Sequence, residues 1–505
     1  MGGLATVDDL GDQRDLAVET FSGRVHVEWD PEAAVSPLGQ LAFFVEYLKQ
    51  GGLFDPWVGD CPLYLTSPNA PSKRDVLGTL LLSVLAGHWR YAHITGLRSD
   101  GVSPGLLGMK KVVSEESVRR GLSKIEAAAG FAWSQRHLDY VYRPLLREPW
   151  VLDVDTTIKP LYGHQEGAEL GYNPTKPGRP SHAYHTYLMA GTRLVLDVEV
   201  EAGNRHNSKH ACPGLWALLD RLGRDHWPRL LRGDADWGTE ANMMRSEQEG
   251  LAYLFKLRAT AKVKRLIAKL TGEGGWSATG QGFEAREAPL RLSGWSRHRR
   301  VVVLRRRLQR EATLVQSETR DGQRLLSFAE ISSGGEVFEY VVLVTSLAIE
   351  LSSLGQLYRD RGDAENVFDE LKNQWGWGGF TTRDLKRCRL MARMQALVYD
   401  WWTLFARLID PMRHSEAITS RPLLLHAVAR QSRHGKQTRL KLTSSHGENR
   451  EIRRSLAGVS NFLSQLARTA GQLSDLEKWC RILSRALIKY LHGRILDPPA
   501  SFLPA

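Results

Sequence analysis

The sequence predicts an α/β core interrupted by a β-rich insertion, with mainly helical regions at both ends. Three observations carry this expectation. Strand-like runs alternate with helical periodicity from residue 149 onward, a Gly-, Arg-, Ser- and Trp-rich stretch breaks that alternation over 263–337, and Leu-rich amphipathic segments occupy both ends. The 505 residues divide accordingly into a helical region over 1–148, core segments over 149–262 and 338–410 separated by the insertion, and a basic arm with a helical region over 411–505.

Each element has a local reason. After a strand-like 24–29, residues 75–86 are apolar and Leu-rich, and Ser114 caps a helix whose first turn carries Glu115 and Glu116. That helix buries Val118, Leu122 and Ile125 and exposes Arg119 and Arg120, which suits either a recognition helix or an ordinary bundle helix. In the core, V-L-D-V-D-T-T over 151–157 alternates as a strand, 183–190 and 192–200 read as an antiparallel pair, and 212–222 reads as a helix. Strands follow at 229–233 and 251–257, and the pattern resumes at 340–345. Helices are expected at 390–408 and 456–491, before a tail containing Pro498, Pro499 and Pro504. The intervening 421–454, with Arg430, Arg433, Lys436, Arg439 and Lys441 among Ser, Gly and Gln, reads as a loop or mobile arm.

Composition narrows the partners. A net charge of +12 favours a polyanion, most simply nucleic acid. Cys61, Cys212, Cys388 and Cys480 show no C-x-x-C spacing, which argues against a zinc knuckle or a disulfide framework and for a reducing compartment. The start lacks a basic and apolar leader pattern and no long apolar run occurs, so a cytoplasmic, nucleoid-associated protein without membrane partners is expected. Positive charge concentrates between Arg291 and Arg310, where eight arginines and no acid surround Val301, Val302, Val303 and Leu304. Arg299, Arg300, Arg305 and Arg307, with Trp295, are candidate DNA contacts there, although strand alternation leaves one side free to be merely solvated. Lys256 and Arg258 end a strand near a candidate acid and suit phosphate.

The acids carry the chemistry. Alternation places Asp153 and Asp155 on one face of their strand, and Asp155, nearer its end and followed by Thr156 and Thr157, is the preferred cation ligand. In L-L-R-G-D-A-D-W-G an apolar strand runs into Asp234 where ligands of α/β sheets collect, with Asp236 as the competitor. Downstream, Tyr358, Arg361, Glu365 and Lys372 fall within about 60° of arc on one helix at roughly 100° per residue, beside an apolar stripe of Leu357, Ala364, Val367, Phe368 and Leu371. Glu365 would hold a divalent cation while Arg361 and Lys372 engage phosphate oxygens. Together Asp155, Asp234 and Glu365 suit two divalent ions about 4 Å apart, an arrangement for in-line displacement at phosphorus. Magnesium fits such hard oxygen donors, with manganese as a substitute.

These blocks resemble a known family. Y-x2-R-x3-E-x6-K, here Tyr358, Arg361, Glu365 and Lys372, is similar to the YREK signature of bacterial insertion-sequence transposases of the Asp-Asp-Glu (DDE) class, and D-V-D-T-T and R-G-D-A-D-W-G resemble the blocks bearing that family's catalytic aspartates. The stretch 162–182 resembles a block of one branch of the group. The resemblance, over about residues 150–410, implies an RNase H-like core split by a β insertion and a catalytic triad of Asp155, Asp234 and Glu365. It further implies a transposase that binds terminal inverted repeats, cleaves by two-metal hydrolysis and transfers 3′-hydroxyl ends to target DNA by cut-and-paste, with hairpin ends as one route and a homodimer on double-stranded DNA. An RNase H-like nuclease and a domesticated, catalytically silent DNA-binding protein are the alternatives.

Other residues are expected to be structural or stacking groups. His182 and His185, three apart in a strand, do not share a face and read as hydrogen-bonding or packing groups. Trp375 and Trp377 suit either DNA stacking or a packed corner, and Trp295 or Trp276 either an extruded base or packing.

Overall fold

The computed structural model describes residues 16–30, 32–173, 176–205, 212–308, 328–331, 337–435, 437–443, 449–469 and 471–498. Arg310, Lys436, Pro499 and Pro504 lie outside the described residues.

The centre is one mixed sheet of ten strands: β1 (Val151–Pro160), β2 (Ser181–Met189), β3 (Leu194–Ala202), β4 (Leu230–Gly233), β5 (Ala252–Lys256), β6 (Ser277–Ala278), β7 (Phe283–Leu290), β8 (Arg299–Leu308), β9 (Phe328–Ile331) and β10 (Val337–Thr345). Its order is β3-β2-β1-β4-β5-β10-β8-β7-β6, with β9 pairing β10. The strands β1 to β3 pair antiparallel, whereas β4 runs parallel to β1 and β5 parallel to β4. That five-strand order, three antiparallel strands followed by two parallel ones, is the RNase H-like arrangement expected. The insertion does not stand apart as a separate β body. Its strands β8 and β10 continue the sheet beyond β5 by antiparallel pairing, and it opens with a helix, Ala261–Glu273, capped by Thr260. Alternation explains the continuity: Val301 and Val303 enter the main core, while Val302 and Leu304 enter a second cluster with Leu230, Leu254 and Leu354 on the opposite face.

Helices cover the sheet from both chain ends. Lys73–Leu85 begins at a reciprocal capping box between Ser72 and Asp75, and Glu115–Lys124 begins at Ser114, whose hydroxyl accepts from the Ser117 amide. The 25-residue helix Leu385–Ile409 is buried almost all round and packs on β3 and on Ala127–Tyr142. Trp57 stacks on Trp133 at 5.4 Å and meets Trp401 edge-on, so N-terminal helices and core share one apolar interior. The expected helix over 456–491 is two, Asn449–Arg468 and Asp475–Ala486, the second started by a Ser474–Glu477 capping box.

The expected loop over 421–454 is replaced by structure. A helix, Ala417–Leu424, leads into a hairpin of strands Ala429–His434 and Gln437–Leu442, with Gly435 at a φ of 59°. Among the described residues, no helix is long and apolar enough to cross a membrane.

Candidate active site

Parallel pairing of β1 and β4 brings two acids together. Val154 lies in register with Gly233, so the next residues, Asp155 and Asp234, emerge side by side at neighbouring strands roughly 4.8 Å apart. Gly233 is required for that turn: a Cβ there would sit 2.8 Å from the Trp237 Cβ and 3.0 Å from a Val154 methyl. The Asp234 carboxylate accepts the Asp236 amide at 3.0 Å, which fixes the loop. Burial, and then the charge of Asp155, push the Asp234 carboxyl up to about 7 against the pull of Arg361, Arg258 and Lys256.

Structure separates each pair of aspartates that sequence left in competition. Asp153 and Arg232, in register across the same ladder, form a buried bidentate pair at 2.6 and 2.7 Å, so Asp153 is held as the counter-ion of an internal guanidinium. Asp236 pairs with Arg258. Asp155 and Asp234 are left next to each other at the ends of the paired segments of β1 and β4.

The expected single helix carrying the four signature residues is broken. Leu351–Arg359 and Gly362–Gln374 are separate helices, joined through a tight turn at Asp360 and Arg361 that closes with i→i+3 amide bonds, Asp363 to Asp360 and Ala364 to Arg361. Gly362, a poor helix former, sits at the junction. The turn aims Arg361 inward. Arg361 is 6% exposed, and its guanidinium bridges Asp155 at 2.7 Å and Glu365 at 3.4 Å, tying the third acid to the first. Arg361 therefore occupies the interior of the site and neutralises its carboxylates, where sequence placed it on a free phosphate-binding face. Glu365 itself is solvent-exposed on its side chain, and Tyr358 is half-buried beside it. Lys372, half-buried further along the helix, and Lys256, at the end of β5, have no carboxylate within ion-pair distance among the described residues.

The insertion arginines are differently placed from the DNA surface expected of them. Arg299 is 5% exposed and bonded to Glu240 and Glu247, Arg300 pairs with Glu287, and Arg305 pairs with Glu284. Arg307 also has a partner. Trp295 is buried beneath Arg299, and Arg305 lies over the Trp276 ring at 4.1 Å. Trp375 and Trp377 are packed in the core, their indoles donating to Glu370 and to the Ala392 carbonyl. His182 and His185 are fully buried hydrogen-bonding groups, against the Glu166 carbonyl and Thr156 respectively. Sequence reasoning missed Arg232 and Lys159, both buried cations on strands of the site; a cation inside an apolar strand was the available signal.

A divalent ion is tested here by donor chemistry. Among the described residues no three His, Cys, Asp or Glu groups stand close enough to form a ready-made cage. Asp155, Asp234 and Glu365 nevertheless supply hard oxygen donors, and burial together with the charge of Asp155, which raise the Asp234 carboxyl, are what a bound cation offsets. The residues fit a divalent ion.

Residues 69–463 match the model of the transposase DDE domain, group 1, and the chain belongs to that family of DNA transposases. No curated protein matches the chain. Among solved structures, a piggyBac transposase synaptic complex with hairpin DNA aligns over 92% of this chain and 87% of its own, at 9% identity and a TM-score of 0.37, too distant to bear on fold or reaction.

Proposed function

We propose that this transposase binds the terminal inverted repeats of a mobile element, cleaves their phosphodiester bonds at Asp155, Asp234 and Glu365, and joins the freed 3′-hydroxyls to target DNA by cut-and-paste, with hairpin ends as one route. The observation that carries it is the placement of Asp155 and Asp234 at adjoining parallel strands with Glu365 tied to Asp155 through Arg361. The three carboxylates would hold two magnesium ions, or manganese in their place; such ions supply Lewis acidity at phosphate oxygens and a nucleophile at neutral pH. Arg361 ties Asp155 and Glu365 together, and Lys372 and Lys256 offer charge to the phosphates on either side. Tyr358 orients phosphate and does not attack it, so no covalent protein intermediate forms. Two protomers act together on the two ends.

Alanine substitution tests the assignment. Asp155→Ala, Asp234→Ala and Glu365→Ala should each abolish cleavage while leaving binding to end DNA largely intact, because the acids serve the cation and not affinity. A variant that cleaves at near-parental rate removes its residue from the set.

A further inference from the structure

A cavity of about 190 Å³ lies along β1 beyond the acids, bounded by Trp89, Thr157, Lys159, Tyr162, Tyr184 and Trp377, with Lys372 at its edge. Its position follows from the strand. Lys159 shares the face of Asp155 by two-residue alternation and stands four residues further on, about 13 Å at 3.3 Å per residue, with Thr157 between them. A cavity near 150 Å³ admits one benzene-sized ring, so this one has room for a single flat ring system.

Its chemistry is two-sided. Tyr184 and Trp377 form a buried aromatic floor with ring centroids 5.4 Å apart, while Trp89 and Tyr162 are 38% and 67% exposed at the mouth. Lys159 is 5% exposed, its ammonium donating to the Gly379 carbonyl at 2.5 Å and to the Tyr184 hydroxyl at 3.3 Å. Among the described residues no carboxylate pairs with it, and burial pulls it down only to about 8, so a charged group without a counter-ion lines the cavity at neutral pH. Lys372 is likewise unpaired there. Lys176 and Arg179 lie over the Tyr162 ring at 4.9 and 4.6 Å, adding positive charge at the mouth.

The Gly-rich turn after the second signature helix seats one wall. The Trp89 carbonyl accepts the Phe380 amide at 2.6 Å, and a Cβ on Gly379 would stand 2.0 Å from that oxygen. Glycine at 379 therefore lets Trp89, from the N-terminal region, close over the cavity of the catalytic core. Tyr162, Lys176 and Arg179 belong to the 162–182 block, for which the cleavage chemistry provides no other task.

We propose that this cavity receives one unpaired nucleotide of the DNA strand that runs past Asp155, its base against the aromatic walls and its phosphate on Lys159 and Lys372. Aromatic rings and unpaired cations side by side match a base and a phosphate, and the distance from Asp155 places the nucleotide within a few positions of the cleaved bond. The inference rests on the reading that Asp155 belongs to the DNA-cleaving set.

Photocross-linking tests it with the full chain in its Asp155→Ala form, so that binding is read without cleavage. Duplexes bearing one unpaired 5-iododeoxyuridine at a strand end, and fully paired controls, are irradiated and the adducts mapped by mass spectrometry. Adducts at Trp89 or Tyr162 with the unpaired probe only are expected. Trp89→Ala and Tyr162→Ala should weaken binding of the unpaired-end probe about ten-fold, leaving the paired duplex unchanged, with Trp89→Phe restoring most of the loss. Adducts at Trp276 or Trp295 instead, no adduct, or equal loss for both probes overturns the proposal. Residual cleavage by the Asp155→Ala protein would defeat the catalytic assignment instead, which keeps the two failures distinguishable.

Discussion

Replacing Asp153 and Asp155 by asparagine makes the same chemical change two residues apart on one strand, and the structure predicts opposite consequences. Asp153 is 2% exposed and holds Arg232, 3% exposed, by two charge-assisted bonds at 2.6 and 2.7 Å; the same guanidinium also donates to the Leu357 carbonyl. Asp153→Asn leaves a buried cation without its counter-charge, a loss of about 3–5 kcal/mol. Asp155→Asn keeps an amide oxygen for Arg361, which retains Glu365 at 3.4 Å, and removes the charge that helps to push Asp234 up to about 7. Asp234 then ionises more fully, and stability should stay within about 1 kcal/mol of the parent. Urea unfolding at pH 7 measures both, and a cleavage assay at a temperature where both are folded completes the contrast: Asp155→Asn inactive, Asp153→Asn active. The double change Asp153→Leu with Arg232→Met should recover most of the lost stability, since apolar replacement of a buried pair is often neutral. Equal destabilisation by the two asparagine variants, or loss of cleavage in a folded Asp153→Asn protein alone, refutes the division of labour.

Lys372→Ala should weaken binding to end DNA and reduce the slope of log affinity against log salt by about one, measured by fluorescence anisotropy across a salt series; an unchanged slope places Lys372 away from phosphate. Glu199 is held up at about 7 by burial and by Asp197, against an ordinary 4.5. Its folded form therefore keeps a proton that the unfolded chain has lost, and stability falls as pH rises from about 4.5 through 7, by up to about 3 kcal/mol. Glu199→Gln should flatten that decline and be the more stable protein at pH 8, and a parallel pH profile for the two proteins counts against it. Mixing Glu365→Ala protein with a variant defective in end recognition should restore part of the cleavage if each protomer binds one end and cuts the other. Absence of rescue at every mixing ratio, with cleavage by a demonstrable monomer, rejects paired action.

The core was legible because its signals are local. The alternation of V-L-D-V-D-T-T, the glycine before Asp234 and the apolar stripe around Glu365 each specify their own element, and parallel register then brings Asp155 and Asp234 together. What sequence could not show depends on partners distant in the chain. The arginines of β8 look like a free cationic strand until Glu240, Glu247, Glu284 and Glu287 arrive from a neighbouring helix and strand to pair with them. The signature residues share an arc only on an unbroken helix, and the turn at Asp360 and Arg361 turns a presumed phosphate ligand into the internal tie between two acids. The basic stretch after residue 421 lacks an apolar face for most of its length, so its hairpin was hidden; Ala429 is its buried anchor against Ser36. Trp89 and Lys159 were invisible as a pair because 70 positions of chain, and the Gly379 contact, separate sequence from cavity.

Direct coordination by the three acids is tested most directly by changing the donor atom. Asp155→Cys, Asp234→Cys and Glu365→Cys each replace a hard oxygen by a soft thiolate, which magnesium rejects and manganese tolerates better. Each variant should bind end DNA, fail to cleave it with magnesium, and regain measurable cleavage and strand joining with manganese. A cysteine variant as active as the parent in magnesium, or one that binds DNA and stays inactive with both ions, contradicts the assignment of that residue to the metal.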